Sequence, residues 1–550
     1  MQITLLCLSL FLQAPATPEL EPPQPLLVLK MPDPVATVGE FLHGALHETV
    51  VQSKLWGMAR KLPEFSAVEV GWNFFLKPAG GDANLFVASF AGDGLYLFVV
   101  AGPELENGEK GKGEWALVGL GHDGELAQDC FVPPLQLKGM ARSAFHGESW
   151  EVQVDDKITF MRQENRFLIG SNATLLHQLV GADLAQLAAH EDIVQVDGNL
   201  PPDISGWING DALRKDGFTD KPNNAGASYL FGELHEALRT APWLAVELDI
   251  QDQSLALQFT TPASESFRDS HAPYFPGVRE IPMPALEQGI LYGVFSRDLA
   301  HWWAGRAEYL TARGLAETIE GDGVLKLLFA RDPAADVFLH LEPEIRWLVA
   351  PLQSSDADRL SVEYPAAAMG LQFKENAPDD LEQAFSNAFL SAITFANFDG
   401  GNMGQPTLEM NIRLHESGKI YTAAYPKWTT EDKKPGRYNL SPSMLVMPNG
   451  GLWISSSLGL LEEIASAPVQ MVSAGGMWLD FEMKELAAIL HRDRAHVVAN
   501  RMLEEGGDLE AAERFTEFVF AAIDLMQSGG VRSFLDGEKM HLELQLNLSR

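Results

Sequence analysis

The second half of this chain repeats the first, and the repeat limits what it can fold into. Phe167-Leu168-Ile169-Gly170-Ser171-Asn172, running into Leu175, Leu176 and Leu179, reappears as Leu452-Trp453-Ile454-Ser455-Ser456-Ser457, running into Leu460, Leu461 and Ile464. The spacing is constant, since 454 − 169 and 460 − 175 both give 285. A duplicated folding unit solves the same packing problem twice, so the two halves are expected to carry the same elements in the same order.

Five segments recur in order. Each copy opens with a strand and a helix. In the first, Asp33-Pro34 supplies an N-cap and a proline at the first helical position, with Val38, Phe41, Leu42 and Ala45 at helical spacing behind. In the second, Ser296 is the expected cap, Leu299, Trp303 and Leu310 share a face, and Gly314 is placed to end the helix. A second strand and helix follow, residues 115–120 with Leu126 and Gln128, matched by 369–373 with Leu381 and Gln383. The third segment is a meander: residues 150–154 alternate, Asp155-Asp156 turns, 157–162 forms a strand, and a turn leads into 167–169. In the second copy the turn is Pro448-Asn449-Gly450-Gly451, whose Asn-Gly step tolerates positive φ. A helix follows in each copy, over 173–180 and 458–465. The fourth match pairs Gly206-Trp207-Ile208 with Met477-Trp478-Leu479. The fifth closes each copy with a period-two strand, 255–259 and 542–546, apolar on one face and more polar on the other.

At 550 residues the chain exceeds one ordinary core. Its 75 acidic and 40 basic side chains give a formal charge of −35, which repels nucleic acid and anionic membrane surfaces. Residues 5–12 form a short apolar run and Ala14-Pro15-Ala16 a small-x-small cleavage pattern, which together read as an export signal. No Lys or Arg precedes the run, so a buried N-terminal strand or helix is the alternative. No later stretch is long and apolar enough to span a membrane. With the signal removed, Cys130 alone remains of the two cysteines and no intramolecular disulfide forms.

These readings give an organisation: a signal at 1–16, a Pro-rich segment at 17–25, module 1 at 26–261, a Pro-rich linker at 262–284, and module 2 at 285–550. Prolines at 273, 276 and 282 within the linker remove backbone donors, so no sheet is expected to run through it. The expected fold is α+β, as two tandem homologous modules, each an antiparallel-dominated sheet with helices packed on one face.

The order of an apolar strand, a helix opening at Asp, and a hairpin ending in Ile-Gly-Ser-Asn before a Leu-Leu helix resembles a family of large exported bacterial proteins carrying a domain of unknown function. Residues 29–34 and 167–176, with their second-copy counterparts, carry the likeness. The resemblance implies a secreted or envelope-associated protein and brings no catalytic residues with it.

Each group with the chemistry for a site has a simpler explanation. Cys130 sits among acidic and apolar residues with no cation to stabilise a thiolate, and reads as a small buried hydrophobe. His122-Asp123, His190-Glu191-Asp192 and His491 with His496 lack metal-ligand or acid-base spacing. Gly92–Gly94 reads as a hairpin turn between 85–90 and 95–100, and Gly321–Gly323 lacks the surroundings of a calcium or phosphate loop. Asp155-Asp156 lies at a solvated turn tip, where neighbouring carboxylates diverge. Trp302 and Trp303 are the candidate interface, because two adjacent indoles on a helix do not share one core stripe, and the one that flanks it is free to meet a partner or the other module. No catalytic, cofactor or metal residues are expected. The expected function is a non-enzymatic binding or scaffolding role in the envelope or outside the cell, with an unknown protein or envelope component as partner. Alternatives are a carrier of an apolar ligand in a sheet-helix cavity, and a hydrolase whose site assembles only in three dimensions.

Overall fold

The computed structural model describes residues 24–61, 72–102, 113–140, 145, 147–154, 157–190, 202–215, 221–263, 268, 272–352, 364–426, 438, 440–505 and 508–549. The expected signal, residues 17–23 of the Pro-rich segment, and Asp155-Asp156 lie outside the described residues.

Along the chain β1 (Pro25–Met31) leads into helices α1 (Pro34–His43), α2 (Ala45–Gln52), α3 (Lys54–Ala59) and α4 (Ala83–Ala91). Strands β2 (Gly94–Val100) and β3 (Glu114–Leu120) precede α5 (Gly124–Leu137). Then come β4 (Ser149–Val154), β5 (Ile158–Gln163), β6 (Arg166–Gly170), α6 (Ala173–Val180) and α7 (Leu184–Ala188). They are followed by β7 (Ile204–Asn209), α8 (Gly210–Lys215), α9 (Ala225–Thr240), β8 (Trp243–Gln251) and β9 (Ser254–Pro262). The middle of the chain holds β10 (Arg279–Pro284), β11 (Leu291–Phe295), α10 (Leu299–Tyr309), α11 (Ala312–Phe329) and α12 (Pro333–Asp336). Next are β12 (Ile345–Ala350), β13 (Ala366–Gln372), α13 (Leu381–Asn402), β14 (Glu409–His415) and β15 (Gly418–Ala424). After them come β16 (Ser443–Val446), β17 (Gly451–Ser455), α14 (Leu458–Ser466), β18 (Val469–Ala474) and β19 (Met477–Glu482). The last elements are α15 (Met483–Arg492), α16 (Arg494–Glu505), α17 (Leu509–Leu525), β20 (Met526–Asp536) and β21 (Lys539–Leu548).

Part of the acidic excess opens helices. Asp33, Asp82, Asp123, Asp183, Asp298, Asp332 and Asp508 each accept hydrogen bonds from first-turn N–H groups. A carboxylate there satisfies orphan donors and meets the positive end of the helix dipole. The cap of α10 is Asp298, two residues beyond the expected Ser296.

The fold is α+β, built on antiparallel sheet, and its described residues divide into two compact units. The first comprises residues up to Gly44, Leu62–Asn209 and Ala245–Asp249; the second comprises Ala45–Lys61, Gly210–Leu244 and Ile250 onwards. In the first unit the strand order is β7–β1–β2–β3–β6–β5–β4, antiparallel throughout. In the second it is β9–β21–β20–β19–β11–β12–β13–β17–β16–β15–β14, again antiparallel.

Helices cover both faces of each sheet, not one. Along β6, Phe167 and Ile169 pack with α1, α4 and α5, whereas Leu168 points to the opposite face and packs with α6 and α7. In the second unit α10, α11 and α13 cover one face, and α14 with a β10–β18 ribbon covers the other. The reason lies in the central strands, which are apolar at consecutive positions and so have two faces to bury.

Three further expectations are corrected. The end of the Pro-rich linker is a strand: β10 pairs with β18, burying Ile281 and Met283 while Pro282 faces out. A two-stranded ribbon has outer edges where a missing N–H costs no ladder bond. The Gly92–Gly94 step joins helix α4 to β2 and is not a hairpin turn, because residues 83–91 are helical behind the Asp82 cap. Gly314, Gly321 and Gly323 all lie inside α11, and α10 ends before Gly314.

Two buried charged groups hold the second unit together. Arg297, 1% exposed, donates from Nε to the Tyr229 carbonyl (3.0 Å), from Nη2 to Leu230 (2.6 Å), and from Nη1 to Tyr274 (3.2 Å) and Gly476 (3.2 Å). Helix α9 is kinked at Phe231, beside the two carbonyls that the guanidinium takes. Insertion of a side chain into the helical ladder is a recognised cause of such a kink. Second, Arg346 pairs with Glu344 at 3.3 Å, and Arg279 reaches Glu342 at 2.7 Å and Glu344 at 3.7 Å. Burial holds the Glu344 carboxyl above the usual carboxylate range, an effect that Arg346 and Arg279 oppose.

Candidate functional site

The second unit offers a ligand the polar face of β19, β20 and β21. Period-two alternation sends Leu479, Val531 and Leu542 to one side, where they pack with Phe259 and Phe295. The other side carries Asp480, Gly530, Arg532, Glu543, Gln545 and Asn547. Register places Asp480 opposite Gly530, Gly530 opposite Gln545, and Arg532 opposite Glu543. Gly530 has no side chain to fill the space between its neighbours, so the face is hollowed there. A Cβ at Gly530 would stand 2.9 Å from Asp480 Oδ1. The resulting groove has a volume of about 230 Å³.

Its electrostatics are unbalanced. Asp480, Glu482 and Glu543 line the groove against Arg532 alone. Burial raises the Asp480 carboxyl above its ordinary value, and Arg532, 3.8 Å away, only partly opposes this. A carboxylate in that state gains from an added cation or hydrogen-bond donor. Asn547 donates to Ser528 Oγ at 2.9 Å, fixing the amide at one end. Further along the same face His541 Nδ1 meets Gln258 Nε2 (3.0 Å) and Thr260 Oγ1 (3.1 Å), and its ring stacks on Phe534 at 5.0 Å. Burial pushes the His541 imidazole below its ordinary pKa, against the pull of Asp536 and Glu543.

A second hollow, of about 470 Å³, is walled by α2, α3 and α17 and lined by Glu48, Thr49, Gln52, Lys54, Asp524 and Ser549. Beside it His491 Nε2 meets Asp524 Oδ1 at 2.7 Å, and the imidazole lies edge-on to Phe520 at 4.8 Å. The nearby hydroxyls are engaged with backbone: Ser549 donates to the Asp524 carbonyl at 2.6 Å, and Ser53 to that of Val50 at 2.5 Å. Lys54 is paired with Glu517, which Arg494 also contacts at 2.8 Å.

The remaining sequence candidates are dispersed. Trp302 and Trp303 are both buried in one cluster, Trp302 against Tyr229 at 5.3 Å and Trp303 against Phe338 at 5.3 Å. The expectation that one indole flanks the core therefore fails: partner aromatics from α9 and from residues 338–340 wrap the helix on two sides. Cys130 is fully buried among Ala127, Phe131 and Phe167, and burial pushes its thiol up to about 11. His122 pairs with Asp93 at 2.7 Å, whereas Asp123 caps α5. His190 lies edge-on to Trp207, and Glu191-Asp192 fall outside the described residues. His491 and His496 stand on different helices. Among the described residues no group of three or more His, Cys, Asp or Glu is arranged to hold a metal ion, and no helix is long and apolar enough to cross a membrane.

The groove was partly legible in the sequence, since Glu543 and Gln545 supply the polar side of the closing strand at 542–546. Its glycine floor and Asp480 come from strands whose pairing the sequence does not state.

No family model and no curated protein matches this chain. Among solved structures, that of TP0453 in crystal form III is similar over 47% of this chain and 86% of its own, at 9% identity and a TM-score of 0.20. A likeness that low carries no argument about fold or function.

Proposed function

We propose that this is an exported, non-enzymatic binding protein made of two tandem homologous modules, and that the β19–β20–β21 groove takes a polar partner bearing cationic or hydrogen-bond-donating groups. The observation that carries the binding role is the groove itself: a hollowed sheet face with excess carboxylate, one of them raised in pKa by burial. The tandem reading is supported by strand order, since β19–β11–β12–β13–β17–β16–β15 follows β7–β1–β2–β3–β6–β5–β4 position by position. It is supported also by the repeated motif, because Ile169 lies in β6 and Ile454 in β17. Export rests on the apolar run at 5–12 and Ala14-Pro15-Ala16.

The carrier alternative gains no support from the apolar cavity between Phe90, Leu117, Phe131 and Phe167 of the first unit, which at about 10 Å³ has room for no more than one water. The hydrolase alternative is favoured by one observation, the His491–Asp524 pair beside the 470 Å³ hollow.

A fluorescent tetralysine peptide tests the binding reading. Wild type should bind it, and Gly530→Val, which fills the floor without changing charge, should weaken binding at least tenfold. Equal binding by wild type and Gly530→Val would assign the affinity to the protein's general acidity and overturn the groove. Hydrolysis of p-nitrophenyl acetate that is lost in His491→Ala would favour the hydrolase instead. Intact mass of secreted or envelope-fraction protein should show a chain starting near residue 17, and a cytosolic chain retaining Met1 would refute export.

A further inference from the structure

Strand β14 stands at one end of the second unit's sheet and among the described strands pairs only with β15. Its two-residue loop, Glu416-Ser417, sets His415 opposite Gly418. The flanking pair of such a loop is hydrogen-bonded, and pairing alternates from there. Glu409, Asn411, Arg413 and His415 thus bond to β15, whereas the N–H and C=O groups of Met410, Ile412 and Leu414 point away from the sheet. The outward direction is visible at Ile412, whose N–H takes the neighbouring Asn411 side chain (2.8 Å) as acceptor.

The side chains sort the same way. Met410, Ile412 and Leu414 are exposed, Leu414 by 87%. Ile412 lies opposite Tyr421, so the three share the face covered by α13. Asn397 of α13 brackets the Leu408 backbone with both amide atoms, 2.9 and 2.6 Å, which fixes the end of that helix beside the start of β14. Phe395 and Phe398 are exposed on the same stretch of helix. Arg413 points to the other face, where it pairs with Glu462 of α14. A bare strand edge flanked by exposed apolar side chains is a template for strand addition.

The sequence of the edge selects the occupant. In Glu-Met-Asn-Ile-Arg-Leu-His, antiparallel pairing with a second copy about Ile412 brings Ile412 against itself and Met410 against Leu414. It also sets Glu409 against His415 and Asn411 against Arg413. Outward-facing groups fall on hydrogen-bonded positions, giving about six inter-chain backbone bonds. Apolar meets apolar on one face, and acid meets base on the other. We propose that the chain forms a two-fold homodimer by β14–β14 pairing, which joins two sheets edge to edge and places the two α13 ends on one face of the joint. This inference is independent of the proposed ligand groove.

A single-strand joint buries little surface, so dissociation in the micromolar range is expected. Sedimentation of the full chain from 1 to 200 μM should show a mass that doubles with concentration. Ile412→Pro removes an N–H that β15 does not use, and Leu414→Lys places charge on the edge; each should fold normally by circular dichroism and weaken dimerisation at least tenfold. Glu409→Lys should weaken it several-fold, and the exchange Glu409→His with His415→Glu should restore it. Leu327→Lys, at an exposed position of α11, should leave it unchanged. In Ile412→Cys a short bismaleimide should link two chains through residue 412. A wild type that stays monomeric at 200 μM, or a dimer indifferent to Ile412→Pro and Leu414→Lys, overturns the proposal.

Discussion

Replacing Arg297 by Met should cost the second unit about 3–5 kcal/mol, and the loss should be concentrated in α9. The guanidinium is buried and donates to carbonyls of Tyr229, Leu230, Tyr274 and Gly476, apart from a short contact within its own peptide. Hydrogen bonds to a charged donor contribute about 1.5–3 kcal/mol each. Four such bonds would give a larger sum, but the desolvation of the buried cation offsets part of it, so the net loss falls to the value expected for breaking a buried network. Met matches the aliphatic stem and leaves the carbonyls beside the Phe231 kink without that donor. Arg297→Lys keeps the charge but not the fork, and should cost about 2 kcal/mol. Urea unfolding gives the total. Amide exchange gives the location: α9 amides should exchange roughly 100- to 3000-fold faster, since 1.4 kcal/mol is tenfold. A loss under about 1 kcal/mol, or faster exchange spread evenly with none focused on α9, would refute the role given to Arg297.

Glu344→Gln should be more damaging than its conservative chemistry implies, losing about 3 kcal/mol in urea unfolding, because Arg346 stays buried without its carboxylate; a near-neutral result would contradict the pairing. His541 has a folded pKa below its unfolded value of 6.5, so the unfolded chain binds the extra proton first as pH falls. Stability should be full above pH 6.5 and decline as pH drops below it toward the depressed folded value; His541→Gln should flatten that part of the curve in urea midpoints taken from pH 7.5 to 5. Cys130, buried and with its thiol near 11, should fail to react with Ellman's reagent at pH 8 until the first unit unfolds, and prompt labelling of native protein would refute its burial.

The parts of the fold legible in the sequence are those with local causes. The β4–β5–β6 meander follows from alternation and turns, and Gly450 takes φ +78° where Asn449-Gly450 required it. Asp33 caps α1 as its Asp-Pro pair predicts, accepting from Ala36 N–H at 2.9 Å. The parts not legible depend on what lies across a gap. Residues 83–91 are an apolar run without clear period, and the Asp82 cap was the one local sign of helix. Helix α11 persists through three glycines because tertiary packing outweighs their poor propensity. Covering the second face by α6 and α14 depends on where short helices land, and the groove depends on bringing Asp480 opposite Gly530 from fifty residues away. Trp302 and Trp303 misled because helical spacing counts one flanking surface, whereas the structure packs aromatics around both sides.

The pairing of β9 with β21 has a consequence for how the chain is made. Leu257 sits opposite Leu544, and Leu255 opposite Leu546, residues whose separation along the chain is 546 − 255 = 291. On a ribosome adding about 5–20 residues per second, β9 waits roughly 15–60 s for the strand that completes its edge. Through that interval the apolar side chains of Leu255, Leu257 and Phe259 lack their cross-strand partners. A nascent chain with such an edge is a substrate for holding factors and a hazard for pairing between neighbours on one message. Stalling synthesis before residue 539 should therefore leave the second unit protease-sensitive even though most of its strands have already been made.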